Sequence, residues 1–331
     1  MQFTVPTFRN RSYELRCDLL LAELTQLWIK IGIRVKMHDD EIIVSDEVVR
    51  ELIASQFPEW SREPIVRITD GGTVNGIFRI GERWAARFPL RPGDPDMKLH
   101  ALEEEALANA EFTRHSPFPS PVPIAIGKPG AGYPLPWSIQ TWLPGTVSIK
   151  AKSGASEDFA RDLAALVTAL RQAHTGDRRF SGGGRGGDLR DHDEWVETCI
   201  RECATMFDAH RLEVMWDYFR ALPRTSPDVM NHGDLTSLNI LVNHGRLAGV
   251  LDCGGFGPAD PALDVIAGWH LLDNGARAVF RAEMQSDELE WERSKAWAFE
   301  QALGAVWYYV DSNPVMNAMG HLTLSRIMAN H

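Results

Sequence analysis

The spacing of apolar residues changes character along the chain, and each change predicts an element. After Ser45, which offers a helix cap, Val48, Val49, Leu52, Ile53 and Phe57 repeat at helical intervals until Pro58 stops them. Three short strand-like runs follow at residues 65–69, 76–80 and 84–88, the first two joined by Asp70-Gly71-Gly72-Thr73-Val74-Asn75 and the last two by Gly81-Glu82-Arg83. A helix is expected over residues 97–112, with Leu102 and Leu107 marking its buried side. A buried strand is expected over 137–142, broken by Leu143-Pro144-Gly145. Beyond Ser156 the helical period dominates, at 159–174, 195–210 and 211–222. Asp260-Pro261 has an N-cap residue followed by Pro at the first helical position and predicts a helix over 262–272, with Asp264 in its first turn as a buried brace. The tail, 291–329, reads as helical and aromatic, its stripe serving as core or as the wall of a ligand pocket.

Strands first and helices afterwards predict an α+β fold in two lobes, one over residues 37–142 and one over 143–331. Residues 1–36 stand apart as an extension with an amphipathic helix over 13–31, or as a stretch upstream of a natural start at Met37-His38-Asp39-Asp40. A length of 331 residues supplies two sizeable cores, and 44% hydrophobic content is ordinary for a globular protein. No apolar run approaches a membrane span and the N-terminus lacks a signal-peptide pattern, so a cytoplasmic location without a membrane partner is expected. The net charge of −11 argues against nucleic acid as a partner. Residues 146–331 hold 26 acidic and 18 basic side chains, against 19 and 16 before them. That excess would suit a cationic substrate, or serve solubility alone. Cys17, Cys199, Cys203 and Cys253 form no disulfide framework and read as small buried apolar residues.

The chemistry concentrates in Asn231-His232-Gly233-Asp234-Leu235-Thr236-Ser237-Leu238-Asn239, followed by Val250-Leu251-Asp252-Cys253. An aspartate that can accept the proton of an attacking hydroxyl, with an asparagine five positions on to hold magnesium, is the spacing of a phosphoryl-transfer loop. Asp234 and Asn239 have it. Metal-bridged phosphates need a further carboxylate, and Asp252 is the candidate, because the apolar runs on either side of Asn243-His244-Gly245-Arg246 predict a hairpin that returns it beside Asn239. The Gly71-Gly72 linker, with Thr73 and Asn75, would let backbone N–H groups approach phosphates. Arg87 stands on the third strand where a cation would meet the α and β phosphates. Of Glu103, Glu104 and Glu105 on the next helix, Glu105 is the expected ion-pair partner for it, with Glu104 the alternative. Backbone groups from Gln140 to Trp142 fall where the lobes join and would meet the purine base. The glycine-rich residues 181–187 lack the Lys-Ser/Thr ending of a phosphate loop and read as a flexible loop at an edge of the cleft.

These residues resemble the aminoglycoside phosphotransferase family, antibiotic kinases related to protein kinases and including macrolide phosphotransferases. The carriers are Gly71 to Asn75, Ala86-Arg87-Phe88-Pro89, Pro121-Val122-Pro123, Trp137 through Gly145, His232-Gly233-Asp234 with Asn239, Leu251-Asp252, and Asp260-Pro261-Ala262-Leu263-Asp264. The resemblance implies a bilobal protein-kinase-like fold, with a small antiparallel-sheet N-lobe and a mainly helical C-lobe. It also implies Asp234 as catalytic aspartate and Asn239 and Asp252 as magnesium ligands. Two positions depart from it: Arg87 replaces a lysine, and Cys253 replaces an aromatic or bulky residue.

The expected reaction moves the γ-phosphate of ATP or GTP to a hydroxyl of a small molecule, an aminoglycoside being favoured by the acidic second half. A macrolide is the alternative favoured by the aromatic tail, and an amino alcohol or sugar a third. The protein is expected to act as a monomer or homodimer. A non-catalytic nucleotide-binding module is opposed by the complete Asp234, Asn239 and Asp252 set, and a hydrolase by the lack of an elbow-type nucleophile.

Overall fold

The computed structural model describes residues 41–68 and 74–329. The helix expected over 13–31, the start at 37–40 and the linker residues Gly71, Gly72 and Thr73 lie outside the described residues. Helix α1 (Asp46–Gln56) begins as its composition dictates: Ser45 Oγ accepts from the Val48 N–H at 3.3 Å, and Val49, Leu52 and Ile53 turn inward.

Five antiparallel strands form the N-terminal sheet: β1 (Ile65–Ile68), β2 (Asn75–Ile80), β3 (Trp84–Pro89), β4 (Pro123–Gly127) and β5 (Trp137–Thr141), in the order β1-β2-β3-β5-β4. Alternation gives the sheet two faces. Phe78, Phe88, Trp137 and Ile139 enter a core shared with Leu52 and Ile53 of α1, and the Phe88 and Trp137 rings stack with centroids 4.7 Å apart. Gly127 faces that indole so closely that a Cβ would lie 2.2 Å from it, which restricts the position to glycine. On the opposite face Arg87 lies in register with Ser138 and meets helix α2 (Pro95–His115). The buried stripe of α2 is Leu102, Asn109 and Phe112. Leu107, expected on that side, is 73% exposed, because the inward row runs 102–105–109–112 at helical spacing and leaves 107 outside it.

The remainder is mainly helical. It comprises β6 (Thr146–Val147), α3 (Ser148–Ala151), α4 (Glu157–Arg171), α5 (Asp193–Cys203), α6 (Ala209–Arg220), β7 (Val229–Asn231), β8 (Ile240–Asn243), β9 (Arg246–Val250), β10 (Gly257–Ala259), α7 (Ala267–Leu271), α8 (Asn274–Met284), α9 (Glu288–Tyr308) and α10 (Pro314–Met328). Two predicted helices are interrupted. The helix expected over 195–210 ends at Cys203, and Asp208 caps a new one by accepting from the Arg211 N–H at 3.2 Å. The helix expected over 262–272 is a turn, a 3₁₀ segment over Asp264–Ile266 and the short α7. Asp260 does accept from the Ala262 N–H, at 3.0 Å, but its other oxygen takes Arg293 Nε at 3.0 Å and Trp297 Nε1 at 2.9 Å, so the residue anchors α9 rather than starting a regular helix.

Helix α9 is the axis of this lobe, and 15 of its 21 residues are buried. Several of its polar members find partners within the core: Ser294 Oγ accepts from Trp269 Nε1 at 3.0 Å, and Lys295 Nζ pairs with Glu292 at 2.5 Å. The aromatic tail divides, Trp297 and Phe299 being core while Tyr308 is exposed. Cys199, Cys203 and Cys253 are free and buried, burial pushing the Cys199 thiol up to about 12 and Cys203 to about 11. Among the described residues no helix is long and apolar enough to cross a membrane.

Replacing Asp260 by alanine would leave the Arg293 guanidinium buried without its carboxylate. We predict a destabilisation of about 3–5 kcal/mol, measurable as a fall in the urea midpoint. A midpoint unchanged from wild type would refute the anchoring role.

Candidate active site

Strand β7 delivers Asn231, His232, Gly233 and Asp234 into a loop whose backbone is fixed from beneath. The buried Asp264 carboxylate accepts the His232 N–H at 2.7 Å and the Gly233 N–H at 2.8 Å, as the brace expected from its position. Burial raises its pKa, and the two N–H donors oppose the rise. His232 Nε2 lies 2.9 Å from the Leu251 carbonyl and Nδ1 takes the Asp234 N–H at 3.2 Å, which assigns the proton to Nε2. Gly233, at φ 84°, makes the turn that brings Asp234 out of the strand.

Asn239 closes the loop: its Nδ2 donates to the Asp234 carbonyl at 2.9 Å and to Oδ2 at 2.8 Å, leaving the carboxamide oxygen as the group's remaining acceptor. The hairpin expected next is present as β8 and β9, with His244 and Gly245 at φ 50° and 74° in the turn. It returns Leu251, whose N–H donates to the Asn239 carbonyl at 2.7 Å, so that Asp252 follows directly beside Asn239. Asp252 adopts a left-handed backbone, φ 59°, and its side chain is 59% exposed.

Arg87 joins the lobes. Its guanidinium lies 3.3 Å from Glu105 Oε2 and 3.4 Å from Asp252 Oδ1. Gly254 lets the loop pass Glu105, whose Cγ would lie 2.8 Å from an added Cβ. Gln140 lines a cavity of about 170 Å³ with Arg87, Glu105, Asn109 and Ser138. Along the segment where the lobes join, the Trp142 N–H donates to the Arg83 carbonyl at 2.7 Å and the Thr141 N–H to Val122 at 2.9 Å, so sheet pairing occupies these two donors. The Trp142 ring stacks under Arg79. Asn75 opens β2 opposite Pro89.

The remaining partners of Asp234 come from distant segments that sequence reasoning did not place there. Gln301 Nε2 donates to Asp234 Oδ1 at 2.6 Å, and Arg185 Nη2 approaches the same oxygen at 3.2 Å. Behind Gln301 stand His270 and Thr323: His270 Nε2 is 3.1 Å from Gln301 Oε1, and Nδ1 is 2.9 Å from Thr323 Oγ1. Glu300, almost wholly buried, meets His192 Nδ1 at 3.2 Å and Arg185 Nη1 at 3.9 Å, and its hydrogen bond raises the His192 pKa. Two signals were available in the sequence: a Glu-Gln pair inside an apolar helix, and the glycine-rich 181–187, whose Gly186 carbonyl accepts the Asp260 N–H at 2.9 Å.

Asp234 and Asn239 are thus joined in one loop, and the arginine of the five-stranded sheet reaches down to Asp252 after the hairpin, an arrangement that fits a two-lobed kinase-type fold. The model of the phosphotransferase enzyme family matches residues 65–299. The chain belongs to that family. Its fold is similar to that of an aminoglycoside 2'-phosphotransferase-IIIa solved with GDP (TM-score 0.67, 14% identity, 87% of this chain and 100% of that one). It is similar also to a macrolide 2'-phosphotransferase from Brachybacterium faecium (TM-score 0.57, 17% identity, 82% and 97%). No curated protein matches the chain.

His270 yields a pH prediction. Burial lowers its pKa from 6.5 to about 4, so between those values the unfolded chain binds a proton that the folded one does not. Stability is therefore full above pH 6.5 and falls toward pH 4, by up to about 3 kcal/mol from this group. Urea midpoints across that range should fall more steeply for wild type than for His270→Gln. Parallel profiles would refute it.

Proposed function

We propose that the protein transfers the γ-phosphoryl group of ATP or GTP to a hydroxyl of a small molecule, an aminoglycoside being the favoured acceptor. The observation that carries this reading is the Asp234 carboxylate, held on Oδ2 by Asn239 and on Oδ1 by Gln301, yet 40% exposed toward the cleft. A carboxylate so oriented can accept the proton of an acceptor hydroxyl. The acceptor oxygen bonds to the γ-phosphorus, the bond to the bridging oxygen breaks, and the nucleoside diphosphate leaves with that electron pair.

Arg87 would neutralise the α and β phosphates from the sheet side, and Glu105 keeps it aimed. The loop holding Gly71, Gly72, Thr73 and Asn75 would cover the phosphates, over a nucleotide-binding lobe of residues 37–142 and a catalytic lobe of 143–331. Among the described residues no group of three or more His, Cys, Asp or Glu is placed to hold a metal ion, but a magnesium ion held mainly by phosphate and water oxygens does not need one. The Asn239 carboxamide oxygen and the exposed Asp252 carboxylate are hard donors that suit it, and magnesium bound there would neutralise charge on the phosphates.

The acceptor reading is supported by similar structures described with kanamycin and with gentamicin. A macrolide is the second reading. It is favoured by the Trp195 and Trp307 rings, 5.9 Å apart, and by Tyr308 and Tyr309 at the end of α9.

Asp234→Asn should lower turnover by about 10³-fold or more while nucleotide affinity stays near wild type. Turnover would be read as phosphate transfer in a screen of aminoglycosides, macrolides and amino alcohols. Near-normal turnover by the variant would sink the assignment, and transfer confined to macrolides would replace the favoured acceptor.

A further inference from the structure

We propose that Arg185, carried by the glycine-rich segment 181–187, contacts the transferring γ-phosphoryl group. The inference rests on the phosphotransfer reading above and adds to it a residue outside the catalytic loop.

Charge on the transferring phosphoryl is spread over three equatorial oxygens and needs cationic donors beside the attacking hydroxyl. The loop from Asp234 to Asn239 contains neither lysine nor arginine. Arg87 meets Asp252 and Glu105, on the sheet side of the site. Among the described residues, Arg185 is the cation that reaches the Asp234 carboxylate itself, at 3.2 Å.

Its surroundings leave it short of acceptors. Its Nε is buried with no hydrogen-bond partner among the described residues, its Nη2 contact with Asp234 is long, and its Nη1 lies 3.9 Å from Glu300. A guanidinium carries five N–H donors, so this one retains capacity for an anion with several oxygens. Asp234 Oδ1 meanwhile has a closer donor in Gln301, at 2.6 Å, and would stay oriented if Arg185 turned to a phosphoryl group. Glu300, itself held by His192, balances the arginine's charge from behind. The backbone is built for this approach: Gly186 sits at φ 115°, and an added Cβ there would lie 2.7 Å from Ala259.

The test is calorimetric titration of wild type, Arg185→Ala and Arg185→Lys with magnesium and either a non-hydrolysable nucleoside triphosphate or the diphosphate. Arg185→Ala should bind the triphosphate about 10- to 100-fold more weakly, with diphosphate affinity within about twofold of wild type. Arg185→Lys, which keeps the charge without the fork, should fall between. If the alanine variant does not fold, Arg185→Gln carries the same comparison. Equal triphosphate affinity in a folded variant overturns the proposal while leaving the phosphotransfer reading intact. A wild type that binds neither nucleotide overturns both.

Discussion

The hydrogen bonds from the His232 and Gly233 N–H groups to the Asp264 carboxylate hold the rest of the site in place. A buried carboxylate is costly unless its charge is matched, and two short charge-assisted bonds do the matching while removing two backbone donors that would otherwise be orphaned. Asn231 completes the grip by accepting the Asp264 N–H at 3.3 Å and donating to the Val229 and Ala259 carbonyls. The loop is therefore tied to the β10 segment and the turn beyond it. This explains why residues 262–266 forgo a regular helix: the Asp264 carboxylate reaches the loop from a 3₁₀ turn.

From that tie the site is layered outward. His232 links the loop to Leu251, the hairpin links Leu251 to Asn239, and Asn239 holds Asp234. On the far side α9 contributes Gln301 and Glu300, and α9 is itself fixed by the Arg293–Asp260 pair. Asp260 and Asp264 lie four residues apart, so one short segment anchors both the loop and the helix that flank the candidate catalytic carboxylate. A shift of that segment would move Asp234 and Gln301 together.

The parts of this arrangement that were legible in the sequence are those fixed by short-range geometry. Loop spacing and a hairpin turn determine how Asp234, Asn239 and Asp252 approach one another, and alternation and capping determined the sheet and α1. The interruptions were not legible, because a segment buried on all sides shows no period to separate a regular helix from a turn. Leu107 misled for a related reason: the inward row of α2 is set by the glutamate and asparagine at 105 and 109 as well as by leucines. Arg185 and Gln301 stand 49 and 67 residues from Asp234, and only tertiary packing brings them to it.

That distinction alters how the acidity of the chain bears on the acceptor. Many acids after residue 146 already have cationic partners, among them Asp162 with Arg246, Asp193 with Arg220, Asp260 with Arg293 and Glu292 with Lys295. A charge compensated within a few ångströms contributes little to the field at the cleft, which local groups and screening determine. Around Asp234 those groups are a neutral glutamine, an arginine, and a glutamate matched by a histidine. The regional surplus of acids therefore says little about the field at the cleft, which the immediate partners of Asp234 set.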